Sequence, residues 1–238
     1  MTNSLVDTFS GHTIICGWNE HALQVLKELE AAGQKVVIIA REQPEGLDGT
    51  SALFIKGDAA NDDVLKQAGI MTASSAIILS EGARTLPADS VDARAILTAL
   101  AIETLKPEIY SVLEILNPAN EIHARRVNAD NVIFCDSLIA NVIALCTSQR
   151  GISSFVDDIL SHSDRKSSLC TVDVAPQWEG KTLGELFASL RAENDLPLGV
   201  MRRGPSTKTE EWIHEINPSE DSVVSLPLKV VYISCEKK

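Results

Sequence analysis

Hydrophobic positions along the chain switch between two spacings. His12–Cys16 is a short apolar run closed by Gly17, and residues 19–32 then place Ala22, Leu23, Val25, Leu26 and Leu29 three and four apart. The first spacing predicts a strand and the second an amphipathic helix, with Gly33 as its stop. Lys35–Ala40 (KVVIIA) is apolar at successive positions and rich in β-branched residues, as a strand covered on both faces should be. The alternation repeats. Strands are predicted at 52–56, 75–79, 108–114 and 131–134, with helices at 62–68, 89–105 and 118–127 between them. Strand–helix alternation of this length predicts an α/β fold with a Rossmann-like, doubly wound parallel sheet.

The pattern changes after residue 136. Two apolar helical stretches, Ser137–Ser148 and Ser153–Ser161, flank Arg150-Gly151 and predict a helix-turn-helix crossover. The polar stretch Ser161–Ser168 reads as a linker. Beyond it, strands are expected at Leu169–Val174, Leu198–Met201, Glu211–Ile216 and Leu228–Ser234. One helix, Thr182–Leu190, opens with Thr182 and Glu185 spaced as a capping box. The expected organisation is therefore an N-terminal lobe over 1–136, a crossover αα-hairpin and linker over 137–168, and a small α+β lobe over 169–238.

Charge narrows the function. Of 238 residues, 33 are Asp or Glu and 21 are Lys or Arg, a formal net charge of −12. That balance disfavours nucleic-acid backbones and anionic lipid, both of which need clustered cations. The five cysteines, at 16, 135, 146, 170 and 235, are odd in number and lack CxxC spacing. Reduced, buried thiols in a cytoplasmic chain are the simplest reading. The N-terminus lacks a secretory signal, and no apolar run has the roughly 18–20 residues needed to span a bilayer.

Candidate chemistry sits at the strand ends. The first strand–helix turn reads Gly17-Trp18-Asn19-Glu20-His21-Ala22, keeping only the first glycine of the G-x-G-x-x-G phosphate loop. Asn19 tolerates a left-handed backbone and Ala22 is small, so the turn can still form. Glu20 puts negative charge near a bound pyrophosphate. The ribose-reading position falls at Ala40-Arg41-Glu42, where Glu42 would meet a ribose or Arg41 a phosphate. In Gly57-Asp58-Ala59, Asp58 either faces an adenosine ribose or, like Asn61, caps the next helix. Glu81, Asp89, Asp92 and Glu114 gather at the same edge, as a cation site or as a solvated acidic rim. No G-x-S-x-G, H-E-x-x-H, Walker A or Tyr-x-x-x-Lys pattern is present, which argues against an enzyme.

In their order, these segments resemble the RCK (regulator of K+ conductance) domain over about residues 11–235. The likeness rests on His12–Leu29, Lys56–Ile70, Ser74–Glu81, Leu86–Pro107 and Glu121–Ile133, and in the second lobe on Gly180–Leu190, Leu196–Arg202 and Ile216–Ser234. The resemblance implies a cytoplasmic, non-enzymatic gating domain of a potassium channel or transporter, held at the inner membrane face by a pore partner. Homodimers would exchange the crossover helices and build a larger ring, an octamer among the options. Adenine nucleotide or NAD(H) would sit on Gly17, Asn19, Glu42, Asp58, Ser80 and Glu114, and calcium (Ca2+) on the acidic edge. At the family's calcium position, this chain has Ser80 and Glu81 after the fourth strand and Glu114 and Leu116 on the fifth. The chain would be a stand-alone subunit or a fragment of a longer channel. The alternatives are a structural lobe without a ligand of its own and an NAD-dependent oxidoreductase.

Overall fold

The structure is a computed structural model that describes residues 9–161, 167–204 and 212–235. The chain divides into two compact units, Met1–Ala144 and Leu145–Lys238. In the first unit, β1 (Thr13–Cys16), β2 (Val36–Ala40), β3 (Leu53–Lys56), β4 (Ser75–Ile78), β5 (Tyr110–Glu114) and β6 (Asn131–Ile133) form one sheet in the order β3-β2-β1-β4-β5-β6. Every pairing in it is parallel. This is the doubly wound sheet that the alternating pattern predicts.

Both faces are covered, as the unbroken apolar strands require. Alternate residues divide between two cores. Ile14, Cys16, Val37 and Ile39 enter one cluster, while Ile15, Val36 and Ile38 enter the other. Helix α1 (Ala22–Ala31) buries Ala22 and Leu26 in that second cluster. The opposite face is closed by α2 (Asp62–Gln67), α3 (Ala88–Leu105) and α4 (Glu121–Arg126), through Leu65, Ala99, Ile102 and Ala124 among others. Asn61 caps α2, its side chain accepting from the Asp63 amide at 2.8 Å. Each fully buried isoleucine or leucine contributes about 1.5–3 kcal/mol, so these two layers hold the strand ends in place.

Helix α5 (Cys135–Ser148) follows β6, and α6 (Ile152–Leu160) starts after Gly151, whose φ is +85°. Neither helix contains a buried residue. The linker expected at 161–168 lies largely outside the described residues, and its last two residues belong to a strand. In the second unit, β7 (Ser167–Asp173), β8 (Asp195–Arg203), β9 (Trp212–Ile216) and β10 (Leu228–Cys235) form an antiparallel sheet ordered β7-β10-β8-β9. Helix α7 (Leu183–Ala192) opens with the predicted capping box. It packs Leu183, Leu186 and Phe187 against Val200 and Val230. The expectation of buried cysteines holds for Cys16 alone among those described; Cys135, Cys146 and Cys170 are half-exposed. The reason is placement, since α5 carries two of them on a helix with no buried face.

One polar cluster gives the fold a pH response. Glu103 of α3 accepts a 2.5 Å hydrogen bond from the Ser111 hydroxyl, and Asp130 accepts from the Ser111 amide at 2.7 Å. Burial, with a smaller push from Asp130, lifts the Glu103 carboxyl to about 7. A carboxyl raised in the folded state stabilises fully below its unfolded value near 4.5. That contribution is lost as pH rises through about 7. Glu103→Gln should therefore flatten the fall in melting temperature between about pH 4.5 and 7 relative to the parent. Parallel slopes for the two proteins in thermal unfolding across that range would refute the assignment.

Candidate functional site

The parallel sheet brings the carboxyl ends of its strands to one edge, and a crevice opens there between β1 and β4, where the strand order reverses. Gly17 turns the chain out of β1 with φ +89°. A Cβ at this position would lie 2.9 Å from the Leu79 carbonyl oxygen, so only glycine fits. The turn forms without Asn19 using the left-handed backbone that asparagine tolerates; among the described non-glycine residues only Asn128, Asn194 and Asn217 have positive φ. The Asn19 side chain stabilises the turn instead. Oδ1 accepts from the His21 amide at 3.0 Å, and Nδ2 donates to Glu114 Oε2 at 2.8 Å. His21 stands at the N-cap of α1 without a side-chain capping bond. The side chain of Glu20 lies 3.6 Å from that of Arg84.

The crevice floor is a cavity of about 100 Å3 that includes Gly17, Arg41, Asp58, Glu81, Arg94 and Thr98. Beside it runs a groove of about 500 Å3, formed with Trp18, Glu42 and Thr85 and sharing Arg41, Glu81 and Arg94. The shared wall is a charge network. Arg41 Nη2 donates to Asp58 Oδ2 at 2.5 Å, and Arg94 Nη2 donates to Glu81 Oε2 at 3.1 Å. Arg41 Nε is 3.9 Å from the same Glu81 oxygen. Of the two readings of Asp58, the cap falls to Asn61, and Asp58 faces the cavity.

The six residues named for a nucleotide separate into two groups. Gly17 and Asp58 line the cavity and Glu42 lines the groove. Asn19, Ser80 and Glu114 instead form a hydrogen-bonded cluster, in which the Ser80 amide donates to Glu114 Oε2 at 2.8 Å and the Ser80 hydroxyl to the Glu114 carbonyl at 3.2 Å. Ser80 and Glu114 are both buried.

The four acids named for a cation do not converge. Asp92 is fully buried and accepts from the Leu116 and Asn117 amides and from Asn120 Nδ2, at 2.9, 3.0 and 2.8 Å. Asp89 accepts from the Asn117 and Asn120 side chains, which hold its carboxyl below the usual range. Glu81 is engaged by the two arginines and Glu114 by Asn19 and Ser80. Each acid has found its own donors, so together they make no oxygen shell of the kind calcium needs. Arg94 was not picked out from the sequence. Its only signal was its place on the helix following the fourth strand, which borders the switch point.

Comparison with known proteins places this geometry. A family model described as the TrkA-N domain matches residues 13–135. The calcium-gated potassium channel TvoK of Thermoplasma volcanium is 27% identical over 197 residues, covering 81% of this chain and 56% of that protein. The chain thus spans about half of that relative's length. The human SLO3 gating ring superposes with a TM-score of 0.67 at 14% identity, over 94% of this chain and 43% of that one. The GsuK channel bound to NAD gives 0.51 at 17% identity, over 95% of this chain and 36% of that one. Both likenesses support the fold. Among the described residues, no helix is long and apolar enough to cross a membrane.

The Gly17 turn is the site's most exacting backbone feature. Gly17→Ala should lower stability by about 1–3 kcal/mol, the cost of a left-handed non-glycine residue, with the Leu79 contact added to it. Equilibrium denaturation measures this directly, and an unchanged midpoint would show that the turn relaxes freely.

Proposed function

The chain belongs to the TrkA-N domain family, and from that footing we propose that it is a regulatory, non-enzymatic ligand sensor of a potassium channel or transporter. It takes an adenine nucleotide or NAD(H) at the β1–β4 crevice and couples occupancy to a pore-forming partner. It works in the cytoplasm at the inner membrane face, with 1–136 as sensing lobe, 137–168 as crossover and 169–238 as second lobe. The observation that carries the reading is the pairing of Arg41 with Asp58 and of Arg94 with Glu81 at the switch point.

Partly exposed ion pairs of this kind are each worth only about 0–1 kcal/mol. A phosphate competes for the guanidiniums at little cost, gaining charge-assisted and bidentate hydrogen bonds. Asp58, released from Arg41, then accepts from ribose hydroxyls. The cavity alone is below the roughly 300–1,000 Å3 of small-molecule sites, while the groove of about 500 Å3 beside it accommodates the rest of a nucleotide. Calcium is the weaker reading, since its four acids are dispersed. For binding to act on a pore, the ligand must favour one of two states of the assembly.

Assembly is proposed to run through α5 and α6. Leu138, Ile139, Val142, Ile143 and Leu145 of α5 and Phe155 of α6 are exposed in the single chain. Helices this apolar with no buried residue bury their faces against another copy.

Two outcomes follow. ADP, ATP, NAD or NADH at about 100 times its dissociation constant should stabilise the chain by about 2.7 kcal/mol, a rise of about 5–10 °C. Arg41→Ala and Asp58→Ala should each abolish most of that shift. A panel in which none of the four nucleotides moves the transition would favour the structural lobe. In sedimentation, the parent should be a dimer or larger and the Leu138→Glu, Val142→Glu double variant a folded monomer; a parent monomeric at every concentration would defeat the assembly proposal.

A further inference from the structure

Glu114 has a second set of neighbours that the nucleotide reading leaves unused. His21 precedes α1, Glu114 ends β5 and Cys135 opens α5, so three separate elements of the first unit meet at one point. A ring nitrogen of His21, a carboxylate oxygen of Glu114 and Sγ of Cys135 all lie within 4.8 Å of one another. Among the described residues this is the one group of three or more His, Cys, Asp or Glu side chains with such convergence. We infer that His21, Glu114 and Cys135 bind one divalent metal ion of the zinc class, with its remaining position open to water or a ligand atom.

Four features carry this. The donor set is one nitrogen, one sulfur and one oxygen. That combination suits a borderline metal such as zinc and is foreign to calcium and magnesium, which take oxygen. Glu114 is buried, yet the hydrogen bonds that hold it come from the neutral Asn19 side chain, the Ser80 amide and the Cys135 thiol. A buried carboxylate with neutral donors alone is short of compensating charge, which a cation supplies. The Asn19 and Ser80 bonds both fall on Oε2 and orient the carboxylate, as supporting groups do around metal ligands. Asn19 also accepts from the His21 amide and so fixes the backbone that carries the imidazole.

Closure is modest. Tetrahedral zinc with bonds of about 2.0–2.3 Å sets its ligand atoms roughly 3.3–3.8 Å apart, so small side-chain rotations suffice. Without metal, burial and the adjoining Glu114 push the Cys135 thiol up to about 12, leaving it protonated. On binding, the S–H bond breaks, the sulfur–metal bond forms and the proton leaves to solvent, with no change of oxidation state. The metal then ties the first turn of α5 to the strand edge beside α1.

Cobalt(II) titration of the full, reduced chain is the test, because cobalt bound to thiolate gives a charge-transfer band. One equivalent should bind with that band, and zinc should displace it. Cys135→Ser should lose the band, and Cys146→Ser should keep it. His21→Ala should weaken zinc at least about tenfold, the loss that disturbing a ligand's surroundings already produces. Circular dichroism checks folding; should Cys135→Ser not fold, zinc protection of Cys135 from alkylation in the parent provides the same reading. Absence of the band in the parent, its persistence in Cys135→Ser, or unchanged affinity in His21→Ala would overturn the site. No nucleotide is present, so the result stands apart from the fate of the nucleotide proposal.

Discussion

The polarity of one sheet governs the first unit. All six strands run parallel, so β1 to β4 deliver Gly17, Arg41, Asp58 and Glu81 to the same edge within a few residues of each strand's end. The order reverses at β1, with β2 on one side and β4 on the other. In consequence α1 covers one face while α2, α3 and α4 cover the other. The crevice at the β1–β4 edge, walled on one side by α3, is the gap that this winding leaves. The arginines and carboxylates in it are held there by buried strands such as β2, whose five residues all lie in the interior.

Much of this was legible along the chain. Short apolar runs and spacings of three and four locate the strands and helices to within about three residues, because burial on two faces leaves a strong apolar signature in KVVIIA and a weaker one elsewhere. The Thr182–Glu185 cap and the glycine at 151 were readable because both are local. The site was legible only in part. Gly17 and Asp58 announce themselves by position after a strand. Arg94 does not, since its partner Glu81 is on another element. Asn19 looked like a glycine substitute, yet its amide crosses 95 positions of sequence to reach Glu114. The meeting of His21 with Cys135 is likewise set by sheet order, which spacing alone does not encode. The acidic edge misled for the converse reason: proximity along an edge says nothing of the asparagines at 117 and 120 that take up Asp89 and Asp92.

Helices α5 and α6 show a different limit. An apolar helix reads the same in sequence whether its own chain or another copy covers it. The second unit, by contrast, closes its own core with α7 on the antiparallel sheet.

The Arg41–Asp58 pair also sets how the crevice responds to its surroundings. Asp58 is a tethered rival for any anion that enters, present at a fixed effective concentration, and the observed dissociation constant is the intrinsic one divided by the fraction of time the pair stays open. Salt weakens the tethered pair and the incoming phosphate together, because both are screened over about 8–10 Å at physiological ionic strength. Much of the loss cancels. A crevice with a built-in competitor is thereby buffered against swings in the ionic strength around it.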